Sequence, residues 1–206
     1  MDEYEYEYII FIIIIILLVL LFLIEFIKIL NAYTKIYIYG YPLLIMDLTR
    51  KAMANTTLNG NFIHMRSYPE ATFSIVSAPN ADTLYSTSWI DLANGAHILS
   101  IPYTYGNYYL FELLDNWTNV FGDPGTRTMG SISKKILITN ANDKFIYPNN
   151  LVVYRSNTNI VWIIGRIYWN GYIDKLEEFI LVLRIYWPDK LVMEKKWYSN
   201  DLVLLY

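Results

Sequence analysis

The 206 residues include no cysteine, which excludes disulfides, zinc–thiolate sites, iron–sulfur clusters and thiol nucleophiles. Histidine is nearly absent too. His64 and His97 are the only two, and neither lies in the H-x-x-x-H or H-x-H spacing of a metal site. Each reads as a lone hydrogen-bonding residue, although His64 could ligate a metal with Asp47 or Glu70. Charged residues make up 17% of the chain and the net charge is -3. With no long basic run, a nucleic-acid partner is not expected. The chain has no P-loop, no dinucleotide glycine motif, no G-x-S-x-G elbow, no internal repeat and no Gly–Ser linker. No cofactor and no metal are expected.

What the chain has is apolar surface. Hydrophobic residues reach 55%, which excludes intrinsic disorder. Ile9 to Ile24 is an unbroken apolar run, IIFIIIIILLVLLFLI, which continues after Glu25 to Leu30. Tyr8 to Leu30 gives roughly 34 Å of helix, enough to cross a hydrocarbon core of about 30 Å. Glu25 and Lys28 are spaced to pair on that helix. The flank before the run, MDEYEYEY, is acidic where a cleaved signal peptide is basic, so a retained signal-anchor is expected. Lys28, Lys35, Arg50 and Lys51 follow the span, which places the folded part on the cytoplasmic side. Two N-glycosylation sequons, at Asn55 and Asn116, would matter only in a secretory lumen.

Beyond the anchor, helix-like periodicity runs to Asn55 with a break expected at Gly40-Tyr41-Pro42, and Asn59-Gly60-Asn61 marks a turn. The period then becomes strand-like. Leu84–Asp91 puts Tyr85, Thr87 and Trp89 on one face and Leu84, Ser86, Ser88 and Ile90 on the other. Asn94-Gly95 predicts a two-residue hairpin into Ala96–Ile101. Tyr105-Gly106-Asn107 predicts a turn into Tyr108–Leu114. Further strands are expected at Lys135–Thr139, Leu151–Tyr154 and Ile160–Trp169. Such spacing without intervening helices suggests an antiparallel sandwich. A C-terminal helix starts near Asp174, capped by Asp174 with Glu177 three residues on. Its stripe is Leu176, Phe179, Ile180 and Leu183, and Pro188 is expected to end it.

Four stretches resemble the domain-of-unknown-function 1254 family. They are AYTKIYIYGYPLLIMDLTR (Ala32–Arg50), NFIHMRSYPEATF (Asn61–Phe73), APNADTLYSTSWIDLANG (Ala78–Gly95) and YYLFELLDNWTNVFGDPGTRTMG (Tyr108–Gly130). VWIIGRI (Val161–Ile167), then Asp174, fits the same pattern. The resemblance implies a helical N-terminal part and then an immunoglobulin-like β-sandwich. Longer members carry a second, jelly-roll domain, which is not expected in a chain that stops at Tyr206. The expected fold class is therefore α+β: a transmembrane helix, a short helical segment, an immunoglobulin-like antiparallel β-sandwich and a C-terminal helix. The expected divisions are an anchor at 1–31, a helical segment at 32–70, the sandwich at 71–187 and a tail at 188–206.

The candidate site is the polar cluster of Asn80, Asp82, Tyr85, Asp115 and Arg127. Asp82 could act as base or metal ligand with Asn80 and Tyr85 orienting a ligand, or the segment could be plain turn chemistry. Arg127 could bind an anion through its fork, or pair with Asp82 or Asp115 as scaffold, and the scaffold pair is the expectation. Asp82 and Asp115 could also form a glycosidase-like carboxylate pair. Two functions follow. One is a membrane-anchored binding or structural module, its partners the lipid bilayer and a protein or carbohydrate ligand; exposed aromatics could stack on sugars. The other is a membrane-anchored hydrolase using Asp82, Asp115 and Arg127 in one cleft. Heavy use of Ile, Tyr and Asn suggests an AT-rich coding sequence such as a large DNA virus carries.

Overall fold

The computed structural model describes residues 3–53, 60–68, 82–148, 151–169 and 173–188. The chain divides into two compact units, Met1–Ile45 and Met46–Tyr206. Helix α1 spans Glu3–Ala52 without interruption. The break expected at Gly40-Tyr41-Pro42 does not occur. Pro42 removes one backbone donor, the N–H that would bond to the carbonyl of Ile38, and the helix continues past that single missing bond. Within the first unit every apolar side chain from Ile9 to Leu30 faces outward, and Lys28 pairs with Glu25 at 2.7 Å.

In the second unit the last turns of α1 contribute Met46, which is buried, and just past the helix end Met53 Sδ accepts from the Trp89 indole N–H. The strands are β1 (Ile63–His64), β2 (Leu84–Asp91), β3 (His97–Ile101), β4 (Tyr109–Leu114), β5 (Val120–Gly122), β6 (Lys134–Asn140), β7 (Val152–Ser156), β8 (Ile160–Ile167) and β9 (Arg184–Tyr186). They form two sheets, ordered β1-β2-β8-β4-β5 and β7-β6-β3-β9. All pairings are antiparallel except β6 with β7, which is parallel. A single short helix α2 (Thr126–Met129) and helix α3 (Ile173–Val182) complete the described elements.

One core holds both sheets together. Leu84, Ile90, Phe111, Leu113, Val161 and Ile163 from the first sheet meet Leu99, Ile101, Ile136 and Ile138 from the second. Leu176, Phe179, Ile180 and Leu183 join them, so the expected stripe on α3 is buried. Burying each such side chain is worth about 1.5–3 kcal/mol, which makes this layer the main source of stability. Ser86 and Ser88 share the inward face of β2 as the alternation requires. They are satisfied from the strand edge: Ser86 Oγ lies 2.8 Å from His64 Nδ1, and Ser88 donates to the Asn61 carbonyl. The other face of β2 carries Trp89, stacked on its register partner Trp162 with centroids 5.0 Å apart.

Three local expectations are corrected. Asn94-Gly95 is not a hairpin, because β2 and β3 lie in different sheets. Asp91 accepts from the Ala93 amide and caps a 3-10 turn at Leu92–Asn94, then Gly95 at φ 132° sends the chain across to the second sheet. The sheets are not wholly antiparallel either. β6 and β7 run the same way, so the chain must return between them, and the described residues 141–148 lead along the outside of the second sheet. There Tyr147 and Leu151 pack on Ile98 and Leu137 in a small separate cluster. Finally, α3 ends at Val182 rather than at Pro188, because Arg184–Tyr186 pairs with β3 and closes that edge. The capping role of Asp174, the turn at Asn59 and the tail after Pro188 lie outside the described residues or side chains.

Gly165 in β8 marks a tight approach in the core. A Cβ there would meet the Phe111 ring at 2.6 Å and the Ser86 carbonyl at 2.9 Å. Gly165→Ala should therefore destabilise by about 1–3 kcal/mol through overpacking, read as a lower urea midpoint of the full chain in mild detergent. An unchanged midpoint would show that the core has slack at β8.

Candidate functional site

The structure disperses the expected cluster. Asp82 is exposed just ahead of β2. Tyr85 stands on the outer face of the first sheet with the Arg166 guanidinium 5.8 Å above its ring, and Arg166 also reaches Glu112 at 3.6 Å. Asn80 lies outside the described residues, as do Glu70 and the sequon at Asn55. Asp115 follows the far end of β4 and is 3% exposed. Its carboxylate accepts from the Trp117 amide, the Asn119 amide and the Asn119 side chain, so it is the clamp of its own turn. Arg127 is exposed on α2, and among the described residues it has no ion pair or hydrogen bond.

The expected Arg127–Asp115 scaffold pair is thus absent. Thr126 of α2 accepts from the Tyr109 amide at one end of β4, whereas Asp115 follows Leu114 at the other. Six residues of strand separate those ends by about 17 Å. Asp82 precedes Leu84, which shares the partner Ile167 with Tyr109, so it also belongs to the Tyr109 end. A carboxylate pair of Asp82 and Asp115 is far outside the roughly 5–9.5 Å of a glycosidase. The hydrolase constellation has no common cleft.

The motif residues instead explain local structure. In PGTRTMG (Pro124–Gly130), Gly125 passes so close to β4 that a Cβ would meet the Tyr109 carbonyl at 2.8 Å. Thr128 accepts from the Gly125 amide, and Thr126 takes the Tyr109 amide that the strand leaves unpaired. In the DTLYS stretch (Asp82–Ser86), Ser86 is the partner of His64. That pair has the spacing of a nucleophile and base, but Ser86 is 2% exposed and packed beside Phe111 and Gly165. Burial and the nearby Arg66 hold the His64 pKa below its ordinary value, with Glu177 opposing. The pair serves to fasten the edge segment to β2.

Three features were not found from sequence. His97 is fully buried against Trp187, with ring centroids 4.0 Å apart, and neither ring nitrogen has a partner among the described residues. Desolvation holds its pKa down to about 4, against the pull of the Gly95 backbone and Asp91. Asp143 accepts from Thr139 at 2.6 Å, from the Tyr147 hydroxyl and from the Phe145 amide. Burial raises its pKa, but these donors outweigh burial and leave it lowered. Tyr147 is pushed up to about 12 by burial and by that carboxylate. The third is a shallow, open depression of about 500 Å³ at the end of the unit where β2, β4 and β6 finish and β8 begins. Four of its nine lining residues are asparagines, and a second open depression of about 620 Å³, lined by Asp143–Pro148, Leu151, Val153 and Arg155, adjoins it.

This β-rich, two-sheet body with clamped loops defines a class of protein rather than a reaction. The family described as "Protein of unknown function (DUF1254)" matches residues 59–181, and the chain belongs to that family. The crystal structure of the VPA0106 protein from Vibrio parahaemolyticus has a similar fold, with TM-score 0.58 and 24% identity over 73% of this chain. The chain covers 36% of that protein, about a third of its length. An uncharacterised protein from Burkholderia cenocepacia aligns over 74% of this chain and 41% of its own, at TM-score 0.44 and 12% identity. No curated protein matches.

Two measurements follow. Arg127→Ala should move the urea midpoint by the equivalent of less than about 0.5 kcal/mol, as expected of an exposed side chain. Asp115→Ala should cost about 1–3 kcal/mol by stranding its amide donors; equal effects would contradict these placements. For His97 the folded pKa lies below the unfolded value of about 6.5. Its contribution is then complete above pH 6.5 and is lost as pH falls toward about 4, by roughly 3 kcal/mol in total. His97→Leu should flatten that part of the stability–pH curve, and a curve parallel to wild type would contradict the assignment.

Proposed function

We propose that this chain is a single-pass membrane protein in which α1 is a retained signal-anchor and the β-rich unit is a binding or structural module. The observation that carries the reading is the exposure of the anchor. From Ile9 to Leu30 each apolar side chain is 43–69% exposed around the whole circumference of the helix, and among the described residues this is the helix long and apolar enough to cross a membrane. In water each of those side chains forgoes about 1.5–3 kcal/mol of burial; in lipid none does. The Lys28–Glu25 pair lets both charges lie near one end of the span.

The module is read as an immunoglobulin-like sandwich, supported by the two sheets and the one core between them. Its core does the joining that a disulfide often does in small sandwiches. The divisions proposed are an anchor to about residue 31, a helical segment, the sandwich and a tail. Lys28, Lys35, Arg50 and Lys51 support a cytoplasmic module by the positive-inside rule.

Carbonate-washed membranes should retain the full chain and release a chain beginning at Asn31. Full-length protein in the wash would overturn the anchor. A glycan on Asn116, whose turn is partly exposed, would overturn the orientation alone.

A further inference from the structure

We infer that the asparagine-lined depression binds a neutral glycan, an inference that rests on the module reading and names its ligand class. Its polar walls are Asn94, Thr139, Asn140, Asn142, Asp143 and Asn159. They come from three separate places: the crossover after β2, the end of β6 with the residues just after it, and the turn before β8. A carboxamide presents a donor and an acceptor in one plane, which matches paired sugar hydroxyls.

The site is held ready. Asn140 donates from Nδ2 to Asn159 Oδ1 at 2.7 Å and accepts from the Asn142 amide at 2.8 Å. The Asn159 carbonyl takes the Leu92 amide at 2.8 Å, tying the crossover to the β8 turn. Asp143 is occupied by three donors, Thr139 of β6 and Phe145 and Tyr147 of its own loop, so it braces the wall. In contrast, the side-chain amides of Asn94 and Asn142 are exposed and have no partner among the described residues. The fixed pair Asn140 and Asn159 adds no ordering cost on binding, whereas Asn94 and Asn142 are open to a ligand and are ordered by it.

Charge decides between ligands. No lysine or arginine lines this depression, and its one ionisable group is a carboxylate. A phosphate, sulfate or sialic acid would face the Asp143 carboxylate there, while Arg155 is tied to the Asp143 carbonyl on the adjoining side. A peptide would look for apolar anchors, which the walls provide only in Leu92 and Ala93. A neutral polyol needs neither a counter-charge nor an apolar anchor. An aromatic face also stands at the boundary: the exposed Trp187 ring lies 3.6 Å from where a Cβ on Gly95 would be. Sugar C–H groups pack on such faces.

The test uses the full chain in lipid nanodiscs and saturation-transfer NMR with neutral oligosaccharides of glucose, mannose, galactose and N-acetylglucosamine. A shallow open site predicts a Kd on the order of 1 mM, little changed between low and high salt. The double variant Asn94→Ala/Asn142→Ala should weaken binding at least about fivefold, one lost hydrogen bond's worth. Both side chains are exposed, so the thermal midpoint should stay put. The inference is overturned if no oligosaccharide in the panel binds, if binding survives the double variant, or if sulfated sugars bind better and release in salt. Membrane retention is scored on the same protein. Loss of glycan binding with retention intact refutes the site alone, whereas loss of retention refutes the anchor.

Discussion

Strand β8 has to be covered on both faces, and most of the second unit follows from that requirement. It lies between β2 and β4, so its own ladder is complete on both sides. Its inward residues Val161, Ile163 and Ile167 are at most 1% exposed. Gly165 gives up a side chain so that the Phe111 ring can lie against the strand. On the opposite face Trp162 takes the Trp89 stack, and Trp89 is sealed with Met53 beyond it. A strand buried this way cannot be displaced without opening both layers.

The polar groups are arranged around that body by the need to satisfy what the strands leave over. Each clamp uses a short side chain on nearby backbone: Asp91 at the crossover, Asp115 after β4, Thr126 beside Tyr109, and Asp143 on the return loop. The same chemistry that closes these turns leaves asparagine amides at one end of the unit. Structure and the proposed binding role therefore draw on one set of residues, with Asn140 and Asn159 in the bracing part and Asn94 and Asn142 in the open part.

Much of this body was legible in sequence because it is periodic. The alternation of Leu84–Asp91 and the stripe Leu176, Phe179, Ile180 and Leu183 place their side chains as the structure does. What failed was non-local. Asn94-Gly95 has hairpin chemistry, but which sheet the next strand joins is set by the pairing of β3 with β6, some forty residues on. The parallel β6–β7 pair is equally invisible, since periodicity carries no direction. The site residues failed for a related reason. Asp82, Asp115 and Arg127 share a local polar context in sequence, yet the length of β4 sets Asp115 apart from the other two. The asparagine depression assembles from three places distant in sequence, each ordinary by itself. His97 gave no signal because a lone histidine in a strand looks the same whether it is exposed or sealed under Trp187.

The central claim is that β2, β8 and β4 form the cooperative heart of the module and that the loop end is built onto it. Residue-resolved hydrogen exchange of the full chain in nanodiscs tests this directly. The slowest amides in the β-rich unit should be those of β8 and its ladder partners, exchanging together at the rate of global opening, with 141–148 and 157–159 faster. Amides of β8 that exchange as fast as those of the three-residue edge strand β9 would contradict the account.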